Sequence, residues 1–233
     1  MELGKGKGKG QIIIGIGGSR SKIGKTTIAT AILQKLKGWG AIKYTKTAFY
    51  STIVEDRNIL SVKGKDTRHF LDSGASAVLW VQAPESGLSE VMSLALNKLS
   101  HLEGIIIEGN STIEFSNPDI IIFITESNSR IKESGKRILN RADIIYYRDK
   151  GEIKLRNGQG MNGGIKEIIS TVCDMIEIRK RTEALLIEKA DKGRISCSMA
   201  RQIAKDIEIP YKEIGRIADE LGIKIINCEL GCF

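Results

Sequence analysis

Two rhythms of apolar residues alternate along the first two-thirds of the chain. Short, nearly continuous runs rich in Ile and Val occupy 11–16, 41–45, 77–82, 104–108, 119–125 and 143–147. Runs of that length without polar alternation predict strands covered on both faces. Between them, 25–37, 67–73, 88–102 and 131–141 carry a helical pattern. In 88–102, Leu88, Val91, Met92, Leu94, Ala95, Leu96 and Leu99 recur at the spacing of one helix face. Strand and helix in alternation predict βαβ units. The expected fold over 11–150 is therefore α/β, a doubly wound, mostly parallel sheet with helices on both sides.

The rhythm breaks at 151–164, where Gly, Asn and Gln predict a turn-rich linker with room for one short edge strand. A helix is predicted over 165–178, its stripe formed by Ile165, Ile168, Ile169, Val172, Met175 and Ile176. Residues 179–233 read differently. Helices are predicted at 182–190, 198–207 and 211–221, with stops at Glu208-Ile209-Pro210 and at Gly222, and a strand at 223–226. Three short helices and a strand suggest a small winged-helix-like domain. The four expected regions are a basic tail (1–10), a nucleotide-binding domain (11–150), a linker and helix (151–178) and the winged-helix-like domain (179–233). The last could read DNA or bind protein. Its third helix carries Lys212 and Arg216 but also Glu213, Asp219 and Glu220, a poor balance for phosphate neutralisation.

Charge and composition add limits. The chain has 233 residues and is 41% hydrophobic, enough for a globular core. The formal net charge of +8 is spread thinly, partly on the Lys5, Lys7 and Lys9 tail, and is weak evidence of nucleic acid. No apolar run reaches the ~20 residues of a membrane span, and the first ten residues lack the apolar stretch of a secretion signal. The expectation is a cytoplasmic protein with no membrane partner. Four cysteines in that setting predict thiols or metal ligands rather than disulfides. Cys228 and Cys232, with Cys197, fit either a metal site or buried apolar thiols.

Chemistry concentrates after the first strand. Residues 15–27 read Gly-Ile-Gly-Gly-Ser-Arg-Ser-Lys-Ile-Gly-Lys-Thr-Thr. A buried strand entering a glycine-rich turn that opens a helix is a phosphate cradle: backbone N–H groups turn inward and the helix end adds partial positive charge. Gly17, Gly18, Ser19, Lys22, Ile23, Gly24, Lys25, Thr26 and Thr27 are the expected phosphate-binding residues, with Lys25 on the β- and γ-phosphates and the Thr26 hydroxyl on Mg²⁺. The G-x-x-x-x-G-K-[ST] pattern has Ser19 in its first position, with Gly18 one residue further out. Either the loop is one residue longer or it starts on serine.

Further residues could complete this P-loop site. Ile105-Ile106-Ile107-Glu108-Gly109 ends a buried strand on a carboxylate, where a second acid reaches the metal shell and Gly109 admits the γ-phosphate. Asp66 either caps the helix after it or joins the metal shell. Lys43 and Lys46 leave the second strand either as solvated cations or toward phosphates or a second anionic substrate. Arg20 and Arg68 are candidates for the arginine that speeds phosphoryl transfer. Thr125-Glu126-Ser127-Asn128 lies at a strand tip suited to contact a base, although no Asn-Lys-x-Asp sequence is present. His69 and His101 stand apart from any cluster. Lys25, Asp66 and Glu108 are the expected catalytic set, and Thr26, Asp66 and Glu108 the metal set. A slow NTPase is one reading; a nucleotide-regulated transcription regulator and a small-molecule kinase are others.

The run 17–27, then Lys65-Asp66-Thr67 leading to Ser73-Gly74-Ala75, then Ile107-Glu108-Gly109, resembles the molybdopterin-guanine dinucleotide biosynthesis protein B family over about residues 10–150. The resemblance implies a GTP-binding (rather than ATP-binding) adapter, often a homodimer, that assists attachment of GMP to molybdopterin. Where that family carries histidines after the second strand, this chain has Lys43-Tyr44-Thr45-Lys46-Thr47, and Asn110-Ser111 stands where a bulkier, more basic continuation is expected. The segment after about Arg179 lies outside the resemblance.

Overall fold

The computed structural model describes residues 10–227. Residues 1–9 of the basic tail, Cys228 and Cys232 lie outside them. The chain divides into two compact units, 1–171 and 172–233.

The first unit is α/β, built on a nine-stranded sheet ordered β3-β4-β2-β5-β1-β6-β7-β8-β9. Its six inner strands are parallel: β1 (Ile12–Gly18), β2 (Trp39–Lys46), β4 (Ala77–Ala83), β5 (Gly104–Glu108), β6 (Ile120–Thr125) and β7 (Ile144–Tyr147). They coincide with the six predicted apolar runs. The reason is burial on both faces: Ile12, Ile13, Ile14 and Ile16 of β1 and Ile105, Ile106 and Ile107 of β5 have no exposed surface. Each such isoleucine contributes roughly 1.5–3 kcal/mol. Alternate residues of β1 face opposite helix layers. The odd face carries Ile13, packed with α4 (Leu88–Lys98) through Val91, Met92 and Ala95. It continues through Gly17, whose missing side chain leaves room for Ile138 of α6 (Glu133–Leu139). α1 (Lys25–Lys35) and α3 (Asp66–Asp72) touch each other, and α3 also touches β2 and β4.

Antiparallel pieces close the edges. β3 (Thr52–Val54) joins β4, and β8 (Glu152–Leu155) and β9 (Gly160–Asn162) extend the sheet from β7. The segment expected as a linker with room for one short edge strand thus supplies two. Asn157-Gly158 permits the reversal, since Gly158 takes φ 89°. Two short helices also escape the periodicity, α2 (Arg57–Leu60) and α5 (Asn110–Ser116). At four and seven residues they are too short to display a stripe.

One correction concerns the predicted helices at 165–178 and 182–190. They are a single 25-residue helix, α7 (Ile165–Lys189). The run Arg179-Lys180-Arg181 interrupts the apolar stripe but contains no helix breaker, and Arg179 pairs one turn onward with Glu183 at 2.9 Å.

The second unit surrounds a core of Leu186, Ile195, Ala200, Ile203, Ile207, Ile214, Ile217 and Ile223. α8 (Cys197–Ile207) starts at Ser196, whose hydroxyl accepts the Met199 N–H. α9 (Tyr211–Leu221) ends at Gly222, φ 70°. β10 (Arg194–Ser196) and β11 (Lys224–Ile226) pair in parallel. No helix among the described residues is long and apolar enough to cross a membrane.

Candidate functional site

The site lies where β1, β2 and β5 end, beside the start of α1. Parallel pairing sets Lys43 of β2 and Ile16 of β1 opposite Glu108 of β5. The register therefore brings an ammonium and a carboxylate to the same sheet tip.

The glycine loop begins late. β1 runs through Gly18, and the Ser19 N–H still pairs with the Ile124 carbonyl at 2.9 Å. Ser19 is buried, and its hydroxyl accepts from Ser129 at 2.9 Å. A serine in the first motif position is thus backbone of the sheet, and the turn proper spans 20–24. Lys22 and Gly24 take left-handed backbone, φ 58° and 107°. A Cβ on Gly24 would meet nothing within 4 Å, so its conformation rather than space requires glycine. Such alternation turns backbone N–H groups to one side. Ile23 is buried and anchors the turn. The first α1 bond follows, Ile28 N–H to Gly24 carbonyl at 3.2 Å. Thr27 faces solvent, its carbonyl accepting from Thr30.

Four groups from four elements meet beyond the loop. The Thr26 hydroxyl of α1 lies 3.1 Å from Asp66 Oδ1 and 2.9 Å from Glu108 Oε2. Lys43 Nζ lies 2.5 Å from Asp66 Oδ2 and 2.7 Å from Glu108 Oε1. Each carboxylate thus gives one oxygen to the hydroxyl and the other to the ammonium. Asp66 makes no capping bond; Lys65 is the N-cap of α3 and has none either. Asp66 stands in the first turn of α3 and turns its side chain to Thr26 and Lys43. Glu108 is 3% exposed, and Gly109 beyond it adopts φ 142°, its N–H on the Ile16 carbonyl at 3.1 Å.

Electrostatics follow the geometry. Burial works against the Lys43 charge, but Glu108 and Asp66 outweigh it and hold its pKa above the ordinary lysine value. Burial would raise Asp66; bonds from Lys43 and Thr26 reverse this and hold it low. Lys25 differs. Burial, helped by the nearby Lys43 charge, lowers its pKa despite Glu108 and Asp66. Its Nζ donates across the loop to the Arg20 carbonyl at 3.1 Å. A partly desolvated ammonium at the mouth of a loop of N–H groups favours a polyanion.

Thr26, Asp66 and Glu108 offer hard oxygens only, the donor chemistry of Mg²⁺. Among the described residues there is no group of three or more His, Cys, Asp or Glu that could hold a metal ion. Cys173 and Cys197 are free thiols.

Other expected residues are engaged elsewhere. Arg20 holds Glu126 at 2.8 Å, as does Arg148 at 2.6 Å. Arg148 also donates to the Ile23 carbonyl at 3.3 Å. Arg68 pairs with Asp72, and Lys46 with Glu85. Glu126 therefore braces the loop through two arginines. The adjoining Ser127 N–H donates to Asp149 at 3.1 Å.

Asn110 was legible only as an odd residue after Glu108-Gly109. Its Oδ1 accepts the Gly18 N–H at 2.9 Å and its Nδ2 donates to the Gly18 carbonyl at 3.0 Å. The amide acts as one more strand residue, clamping the start of the loop. A Cβ on Gly17 would come within 2.8 Å of that Oδ1, so the clamp needs glycine there. Its sequence signal is position, two residues beyond a strand-end acid. No protein-family model and no curated protein matches the chain.

Proposed function

We propose that this chain is a P-loop protein that binds Mg²⁺ and a nucleoside triphosphate, GTP in preference to ATP, and hydrolyses it slowly. The observation that carries this reading is the convergence of Thr26, Asp66 and Glu108 directly behind the Gly24–Lys25 turn. The backbone N–H groups of 20–25 and the Lys25 ammonium receive the phosphates. Thr26, Asp66 and Glu108 would hold the metal through their hard oxygens. Mg²⁺, when bound, would neutralise charge shared between the β- and γ-phosphate oxygens. Gly109 leaves space beside the terminal phosphate, and Asn110 keeps Gly18 from drifting as the loop fills. Hydrolysis is slow because Arg20, Arg68 and Arg148 are each held by carboxylates of this chain. None is left at the site to stabilise the transferring phosphoryl group.

The preference for GTP and the wider role rest on the resemblance to the molybdopterin-guanine dinucleotide biosynthesis protein B family. On that reading the protein is a cytoplasmic adapter, acting as a homodimer, in molybdenum cofactor assembly. The winged-helix-like second unit serves it as a protein-contact module. What supports protein over DNA is the state of Arg216 on α9, paired with Glu213 and, at 2.6 Å, with Glu220, while Tyr211 and Met199 are exposed. Competition of GTP and ATP for the full chain in Mg²⁺ buffer tests the reading. Tighter GTP binding is expected; equal affinities would end the GTP preference, and no binding of either would end the nucleotide reading.

A further inference from the structure

We propose that Lys43 is a tethered cation that keeps the place of the metal between Asp66 and Glu108 and leaves it when metal arrives with triphosphate. This rests on the Mg²⁺–triphosphate reading above. The observation is the shared coordination: Lys43 Nζ is 2.5 and 2.7 Å from the two carboxylates that Thr26 also meets.

Without the ammonium, a buried Glu108 and a half-buried Asp66 would confront each other across a neutral hydroxyl, a costly arrangement. Lys43 therefore makes the empty site tolerable. The pairing is no accident of a mobile surface chain, because Lys43 and Glu108 are register partners on neighbouring inner strands. The ammonium takes Asp66 Oδ2 and Glu108 Oε1, the oxygens that Thr26 does not meet, so a divalent cation between the carboxylates either takes these oxygens from it or sits close to a like charge. The lysine stem is flexible enough to swing aside without moving β2, whereas the buried glutamate has no such freedom. Bare metal must displace the ammonium using protein oxygens alone. Metal carried by a triphosphate brings phosphate ligands as well, and Lys25 faces the added anion. Lys43 thus selects metal–nucleotide over free metal.

The test uses Mn²⁺ as a spectroscopic substitute for Mg²⁺, titrated into the full chain without nucleotide and read by the electron paramagnetic resonance of free Mn²⁺. Wild type is expected to bind weakly. Lys43→Met and Lys43→Gln are expected to bind at least about tenfold more tightly, because an uncompensated pair of carboxylates is exposed. Their melting midpoints should rise with Mn²⁺ more than that of wild type. Folded variants with unchanged or weaker Mn²⁺ affinity would overturn the proposal. A variant that folds only with Mn²⁺ supports it; one that no Mn²⁺ rescues overturns it, since the ammonium would then be a purely structural group. Triphosphate binding by wild type in Mg²⁺ buffer separates the two failures. If wild type binds triphosphate while the variants gain no Mn²⁺ affinity, only the role of Lys43 falls. If wild type binds no triphosphate, the underlying reading falls.

Discussion

Both units contain a partly buried ion network, and the two are built in opposite ways. In the second unit, Arg179, Glu183, Glu213, Arg216 and Glu220 lie on α7 and α9. Most of their contacts are helical neighbours three or four residues apart, with Arg179 to Glu220 at 2.5 Å linking the helices. In the first unit, Thr26, Lys43, Asp66 and Glu108 come from α1, β2, α3 and β5, and no two are near in sequence. Local spacing is a cheap way to satisfy charge. Gathering two carboxylates from separate elements against a glycine loop is not, and stability alone gives no reason to do it. The contrast is the reason we propose a structural role for the helical network and a ligand for the strand-tip network.

The sharpest way to break this contrast is to remove one buried partner from the structural network. Arg179→Ala should destabilise the second unit by about 3–5 kcal/mol, since Glu183 and Glu220 lose a buried countercharge. A urea melt reads the loss, and triphosphate affinity should stay at the wild-type value. A fall in that affinity would blur the division. Glu108→Gln should do the reverse, costing about 1.5–3 kcal/mol of stability, the range for a charged hydrogen bond, and abolishing the Mg²⁺ dependence of triphosphate binding measured by calorimetry. Asn110→Ala strips the Gly18 N–H and carbonyl of their partner, at about 1–3 kcal/mol for groups left unsatisfied. Triphosphate affinity should drop with it, while Asn110→Gln, which keeps the amide chemistry but is too long, should not restore either.

The smallest effect concerns pH. The Asp66 pKa is depressed below its ordinary value of 3.8. A group depressed in the folded state stabilises above its unfolded pKa and loses that contribution as pH falls through its folded pKa. The melting midpoint should therefore decline below about pH 3.8, and Asp66→Asn should flatten part of that decline. An unchanged acid limb would detach Asp66 from the Lys43 cluster.

Much of this arrangement is legible in the chain. Ile12, Ile13, Ile14, Ile105, Ile106 and Ile107 announce two-faced strands because nothing polar interrupts them. Gly24-Lys25-Thr26 and Ile107-Glu108 place their chemistry at strand ends, and parallel pairing then brings the ends together. What stays hidden has physical causes. Lys43 reads either as a solvated cation or as one for phosphates or a second anionic substrate, because sequence does not show that β2 pairs with β5 in the register that sets it opposite Glu108. Asn110 acts through a side-chain amide imitating backbone, which has no periodicity. α7 reads as two helices because Arg179 is charged yet buried by its glutamate partners. The strands β8 and β9 are too short and too polar to stand out from turns.

The central claim is that the loop at 20–25 holds a triphosphate against the Lys25 ammonium. Its most direct test is the dissociation constant of a fluorescent triphosphate analogue for wild type and Lys25→Ala, both verified as folded by circular dichroism. The account predicts a loss of at least about a hundredfold, near 2.7 kcal/mol. Equal affinities in the two proteins would contradict it.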